Sequence, residues 1–168
     1  MFEFVDAESI LSKIKVIILG SYIPENFKVL IELKNFLINQ GFQNTFIGRD
    51  LVSIDGNLNY RDKMAKFLFD IKNQMLKADF NLFVFFHNID NEDNRFKKEN
   101  ESIIVELMAL VETPKYSEKE NKTLVYFPYN YSSSMLEAII TQKKINIYEY
   151  QNTQQILQKS LSFIKYNL

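Results

Sequence analysis

Phe80-Asn81-Leu82-Phe83-Val84-Phe85-Phe86 is an aromatic and β-branched run, with Ala78-Asp79 before it and His87 after it. Those residue types suit a pleated, buried surface, so the run predicts a strand. Upstream, Met64, Phe67, Leu68, Ile71 and Met75 recur at helical spacing and predict a helix over 60–77. Downstream, 87–100 is long, charged and turn-rich and is read as a loop. Glu101 to Val111 then reads as a helix apolar nearly all round, with Ser102 and Glu106 as its main polar interruptions.

The same alternation extends to both ends. Lys15 to Leu19 is a short apolar run ended by Gly20-Ser21, a buried strand by its pattern. After Pro24, apolar residues from Phe27 to Leu37 keep helical spacing, and Gly41 suits the helix end. Phe42 to Ile47 is a second strand, and a polar loop from Gly48 to Asn59 follows. Thr123 to Phe127 and Ile145 to Tyr148 are the fourth and fifth strands. A short helix over 132–141 lies between them and a closing helix over 152–166 after them. Strands separated by helices imply right-handed crossovers. The expected fold is therefore one α/β domain over 1–168. It has three layers, α/β/α, around a five-stranded, mostly parallel sheet in the flavodoxin/Rossmann-like order 2-1-3-4-5. Ligands of such folds bind beyond the carboxyl ends of the strands.

Composition narrows the function. Lys+Arg number 20 against Asp+Glu 21, a formal net charge of -1, which argues against a general nucleic-acid coat. With no cysteine there is no thiolate chemistry and no disulfide framework; the chain is compatible with a cytoplasmic location. The start, Met1-Phe2-Glu3-Phe4-Val5-Asp6, carries acidic residues where a signal peptide is positive. No apolar run approaches the length that spans a bilayer, so no membrane partner is expected. His87 is the one histidine, which excludes a histidine-rich metal site. Nor does the chain contain G-x-G-x-x-G or a P-loop.

Several residues fall at the ligand edge. Gly20 would let a ligand approach the backbone, and Tyr22 beside Ser21 could stack on a base or sugar; the bland alternative is a turn with an incidental aromatic. Glu106 reads as nucleophile or general base, or else as a carboxylate reaching water past the sheet edge, with the helix N-terminus stabilising its charge. Ser102 shares its face one turn earlier. Ser132-Ser133-Ser134 opens a helix, as an anion site or simply as an N-cap. His87 ends the third strand. Asp79 falls at the opposite edge and reads as a solvated turn residue. Asp70 lies mid-helix, where surface charge is the ordinary role.

The order of these pieces resembles the nucleoside 2-deoxyribosyltransferase-like superfamily, which includes deoxynucleoside monophosphate N-glycosidases. The resemblance runs from about Lys15 to Ile147. Val16-Ile17-Ile18-Leu19-Gly20-Ser21-Tyr22 is similar to the family's first strand and pocket-lining turn. Leu76-Lys77-Ala78-Asp79-Phe80-Asn81-Leu82-Phe83-Val84 is similar to its Ala-Asp entry into an apolar strand. Ser102-Ile103-Ile104-Val105-Glu106-Leu107-Met108-Ala109 is similar to the Gly-x-x-x-Glu-Leu-Gly-x-Ala setting of its catalytic glutamate, with Ser102 and Met108 in place of the glycines. Ser133-Ser134-Met135-Leu136 is similar to a helix start that phosphate-binding members use across a dimer. Ile71 stands where the family often has a second acid, with Asp70 one residue away.

The resemblance implies cleavage or transfer at the N-glycosidic bond of a nucleoside, nucleotide or related ribosyl compound, by a hydrolase or transferase without metal or organic cofactor. Glu106 would be the nucleophile and Asp70 a second acid. Gly20, Ser21, Tyr22, Ser102 and His87 would line the substrate pocket, and Ser133 with Met135 would meet a phosphate or other polar group. A homodimer is expected. The rival readings are a non-catalytic domain that binds a nucleotide or nucleotide signal, and an interaction scaffold without ligand. All of the glycosidic chemistry requires Glu106 to face a solvent-reachable hollow.

Overall fold

β1 (Val16–Gly20), β2 (Thr45–Ile47), β3 (Phe80–Val84), β4 (Thr123–Pro128) and β5 (Asn146–Tyr150) form one sheet in the order β2-β1-β3-β4-β5. Every pairing is parallel, with Val16 opposite Thr45 and Phe80, Asn81 opposite Thr123, and Leu124 opposite Asn146. The computed structural model describes residues 7–53, 55–87, 95–131 and 134–168. The helices are α1 (Ala7–Leu11), α2 (Pro24–Asn39), α3 (Tyr60–Lys77), α4 (Arg95–Val111), α5 (Ser134–Gln142) and α6 (Thr153–Tyr166), with 3₁₀ turns at Gly48–Leu51, Pro114–Glu118 and Glu120–Lys122.

Side chains of a strand alternate between faces, and the two cores follow that alternation. Val16, Ile18, Leu82, Val84 and Tyr126 pack with Leu30 and Leu33 of α2 and Ile156 and Ile164 of α6. Ile17, Leu19, Phe83, Phe85 and Val125 pack with Ile71 and Met75 of α3 and Ile103, Leu107 and Leu110 of α4. The result is the three-layer α/β arrangement expected from the alternating pattern.

Local signals explain most element ends. Gly41 has φ 100°, open to glycine at little cost. Around it, Gly41 N–H donates to Ile38 C=O and Phe42 N–H to Leu37 C=O, the two bonds of a Schellman end. Phe42 and Leu37 are both fully buried, completing its apolar contact. Asn59 and Asn152 cap α3 and α6 by accepting from Asp62 N–H and Gln155 N–H.

Several boundaries differ from expectation: β2 begins at Thr45 rather than Phe42, whose N–H closes the end of α2, and β5 runs on to Tyr150. β3 ends at Val84 rather than Phe86 because its partner β1 ends at Gly20, opposite Val84. The segment read as a loop to Asn100 is helical from Arg95. Its Arg, Lys and Glu are good helix formers, and charge alone does not make a loop. Residues 88–94 of that segment lie outside the described residues.

Buried polar bonds also tie α6 to the sheet. The Tyr126 hydroxyl lies 2.6 Å from Ser160 Oγ, both buried. Ser160→Ala leaves only a long approach of 3.4 Å from that hydroxyl to Ile156 C=O. The expected loss is about 1–2 kcal/mol, read as a Tm lower by about 2–8 °C in thermal unfolding. An unchanged Tm would mean that the bond contributes nothing net.

Candidate functional site

Glu106 projects from α4 on the side that carries Ile103, Leu107 and Leu110 into the core. Its residue is 2% exposed and its Oε2 has no hydrogen-bond partner. Burial disfavours the charged form, and the carboxyl pKa is pushed up to about 8 from an ordinary 4.5. The expected help from the helix N-terminus is absent. α4 begins at Arg95, so Glu106 lies in its second half, beyond the reach of the terminal dipole. Ser102, one turn earlier, is half-buried.

Tyr22 follows β1 at the same edge. Its hydroxyl is buried without a hydrogen-bond partner. Its pKa is raised chiefly by burial and next by the charge of Glu106, so the two groups share one electrostatic environment. The Arg49 backbone faces the hydroxyl and lowers it somewhat, but no group meets bonding geometry with that oxygen. The Arg49 guanidinium lies 5.2 Å from the Tyr22 ring centroid and 4.5 Å from that of Phe27. Arg49 comes from the turn after β2, Tyr22 from the turn after β1, and Glu106 from the helix after β3. The group therefore gathers beside the point where strand order reverses.

Ser21 is buried, and its Oγ accepts from Ile23 N–H at 3.3 Å and Asn26 Nδ2 at 3.1 Å. Asn26 in turn lines a cavity of about 590 Å³ with Phe86, His87, Tyr129, Asn130 and Gln151. Such a volume suits a small organic ligand. The segment just after β3, whose Phe86 lines it, is pinned twice: the Tyr150 hydroxyl donates to Phe85 C=O at 2.6 Å, and Asn100 Nδ2 donates to Phe86 C=O at 2.9 Å. Asn130 holds φ 63°, a left-handed conformation that asparagine tolerates better than most residues.

The expected residues divide. Ser21, Tyr22, Glu106 and an exposed His87 do come to the carboxyl edge. Glu106 is buried, its Oε2 is shielded from solvent, and it is not among the described residues that line this cavity. Gly20 serves packing rather than ligand approach. A Cβ there would meet Leu30 Cδ2 at 2.8 Å and Val84 C=O at 3.1 Å. Asp70 is ion-paired with Lys66 on α3, and no described contact joins it to Glu106. Asp79 is exposed at the opposite edge, where its carboxylate accepts from Lys15 N–H. Ser133 lies outside the described residues, as does the side chain of Met135.

The sequence places the loop from Gly48 and Pro128 to Ser134 at the ligand edge, which takes in Arg49, Tyr129 and Asn130 without singling them out; Asn26, Asn100, Tyr150 and Gln151 were missed, and nothing local marks them. Among the described residues, no group of three His, Asp or Glu side chains could hold a metal ion, and no helix is long and apolar enough to cross a membrane.

Fold and edge together define a doubly wound parallel α/β domain with a ligand-sized cavity and a buried acid at its strand ends. No family model matches the chain, and no curated protein matches it.

Proposed function

We propose that this protein cleaves or transfers the N-glycosidic bond of a nucleoside, nucleotide or related ribosyl compound, with Glu106 as nucleophile. One observation carries the reading: a buried carboxyl group, its Oε2 without a partner, at the ligand edge of the sheet. A buried acid without a partner costs stability, and acids kept at such a cost cluster at functional sites. Glu106 Oε attacks the anomeric carbon as the bond from that carbon to the base nitrogen breaks. The electron pair leaves on the base, which takes a proton from solvent. Water, or a second base in transfer, then displaces the carboxylate from the anomeric carbon. The covalent step divides one difficult displacement into two easier ones, and a carboxylate also stabilises the oxocarbenium-like transition state.

The nucleophile must be ionised. With its pKa pushed up to about 8 by burial, base release is expected to rise close to tenfold per pH unit below about pH 8 and to level above it. Incubation with nucleosides, nucleotides and NAD, followed by chromatography of released base across pH 6–9, tests both the activity and the profile. No released base from any of them removes the reading; a profile flat from pH 6 removes Glu106 as its titrating group.

The burial of that carboxyl favours a second reading, in which the same edge binds a nucleotide without turnover. A ligand that raises Tm while releasing no base would select it. A homodimer is part of the proposal. Met64 and Phe69 of α3 and Val105 of α4 are exposed apolar side chains on the layer that carries Glu106. Light scattering giving only the 19.9 kDa monomer at working concentrations would remove it.

A further inference from the structure

We infer that Arg49 is the phosphate-binding residue of this edge. The ligand would be a nucleoside phosphate lying along the strand ends, with its phosphate over β2 and its base in the cavity at β4 and β5. The inference rests on the ribosyl-ligand reading above and deepens it by naming the substrate's charged part and its direction.

Arg49 is exposed, and its guanidinium carbon lies over the rings of Phe27 and Tyr22. A contact with ring faces uses the charge of the group and leaves N–H donors for a bidentate acceptor. Among the described residues no carboxylate pairs with it; the neighbouring Asp50 pairs with Lys34 at 3.7 Å. An arginine fixed in this way loses little side-chain freedom when it takes an anion.

The opposite end of the edge has different chemistry. Among the described residues, the cavity is lined by the amides of Asn26, Asn130 and Gln151 with Tyr129, Phe86 and His87, and by no Lys, Arg, Asp or Glu. Amides and aromatic rings suit the polar edge and flat face of a neutral base, and offer no countercharge to a phosphate. Along the sheet, the β2 and β4 ends are separated by the successive pairings β2-β1, β1-β3 and β3-β4, or about 14 Å at the usual strand spacing. Tyr22 and Glu106 come from the elements between them. A ligand spanning from Arg49 to the cavity thus carries its sugar over the β1/β3 gap, beside the acid.

Binding of 5′-monophosphates and their parent nucleosides to the full chain bearing Glu106→Gln is measured by calorimetry at low salt, with NAD as a dinucleotide arm. That background prevents turnover without touching Arg49. The monophosphate is expected to bind at least about tenfold more tightly than its nucleoside. Arg49→Ala is expected to abolish that preference while leaving nucleoside affinity within about twofold, and Arg49→Lys to restore part of it. An unchanged Tm of both Arg49 variants without ligand controls for folding. Equal affinity for nucleoside and monophosphate, preference surviving Arg49→Ala, or no binding of any probe overturns the assignment. Preference that depends on Arg49, in a wild-type protein that releases no base, upholds this inference and removes the glycosidic reaction instead.

Discussion

Glu106→Gln is expected to stabilise the protein increasingly as pH rises, while lowering base release by roughly a thousandfold or more, as loss of a nucleophile does. The sign follows from linkage. The folded-state pKa of about 8 lies above the ordinary 4.5 of an exposed glutamate, so between these values the native state binds the proton that the unfolded chain has released. Stability therefore falls as pH rises from about 4.5, and the full penalty is reached above about 8. It amounts to less than about 1 kcal/mol at pH 5 and about 4 kcal/mol at pH 8. Glutamine has the same shape and no charge to bury, so its own cost is constant with pH. The Tm difference between variant and wild type should thus grow by about 6–14 °C from pH 5 to pH 8. Thermal unfolding in matched buffers measures it. A difference flat over that range would show that the carboxyl is not held protonated, and the argument for a costly, functionally retained acid would go with it.

Phe83→Ala is expected to cost about 3–5 kcal/mol. Phe83 is fully buried in β3, which pairs with β1 on one side and β4 on the other. Its ring packs in the same core as α3 and α4, so truncation leaves a void between sheet and helix that neighbouring strands cannot close without breaking their ladders. Denaturant titration should show a lower midpoint with an unchanged slope. Phe69→Ala is the control: that ring is 60% exposed on α3 and should cost little. Equal effects at the two sites would contradict the placement of these helices on the sheet.

Much of this architecture was legible in the chain. The period of apolar residues located each strand and the main helices, because a strand buried on both faces and a helix buried on one leave different spacings. Asn59, Gly41 and Asn152 act on backbone groups a few residues away, so their influence stays local. Glu106 was conspicuous for a related reason: a lone acid in an apolar helix signals an unusual environment before any neighbour is known. The start of α4 was less legible, since Arg95 to Asn100 are equally at home in a solvated loop and an extended helix turn.

Sequence by itself determined the alternation of elements, and with it the parallel sheet, because those depend on hydrophobic spacing within short windows. Tertiary structure alone decided that Glu106 is buried, that the Cβ space at Gly20 is taken by Leu30, and that the Arg49 guanidinium lies over Tyr22 and Phe27. Each of those facts is a contact between segments far apart along the chain. The free energy of a charge is set by everything packed around it, and local spacing does not specify those neighbours.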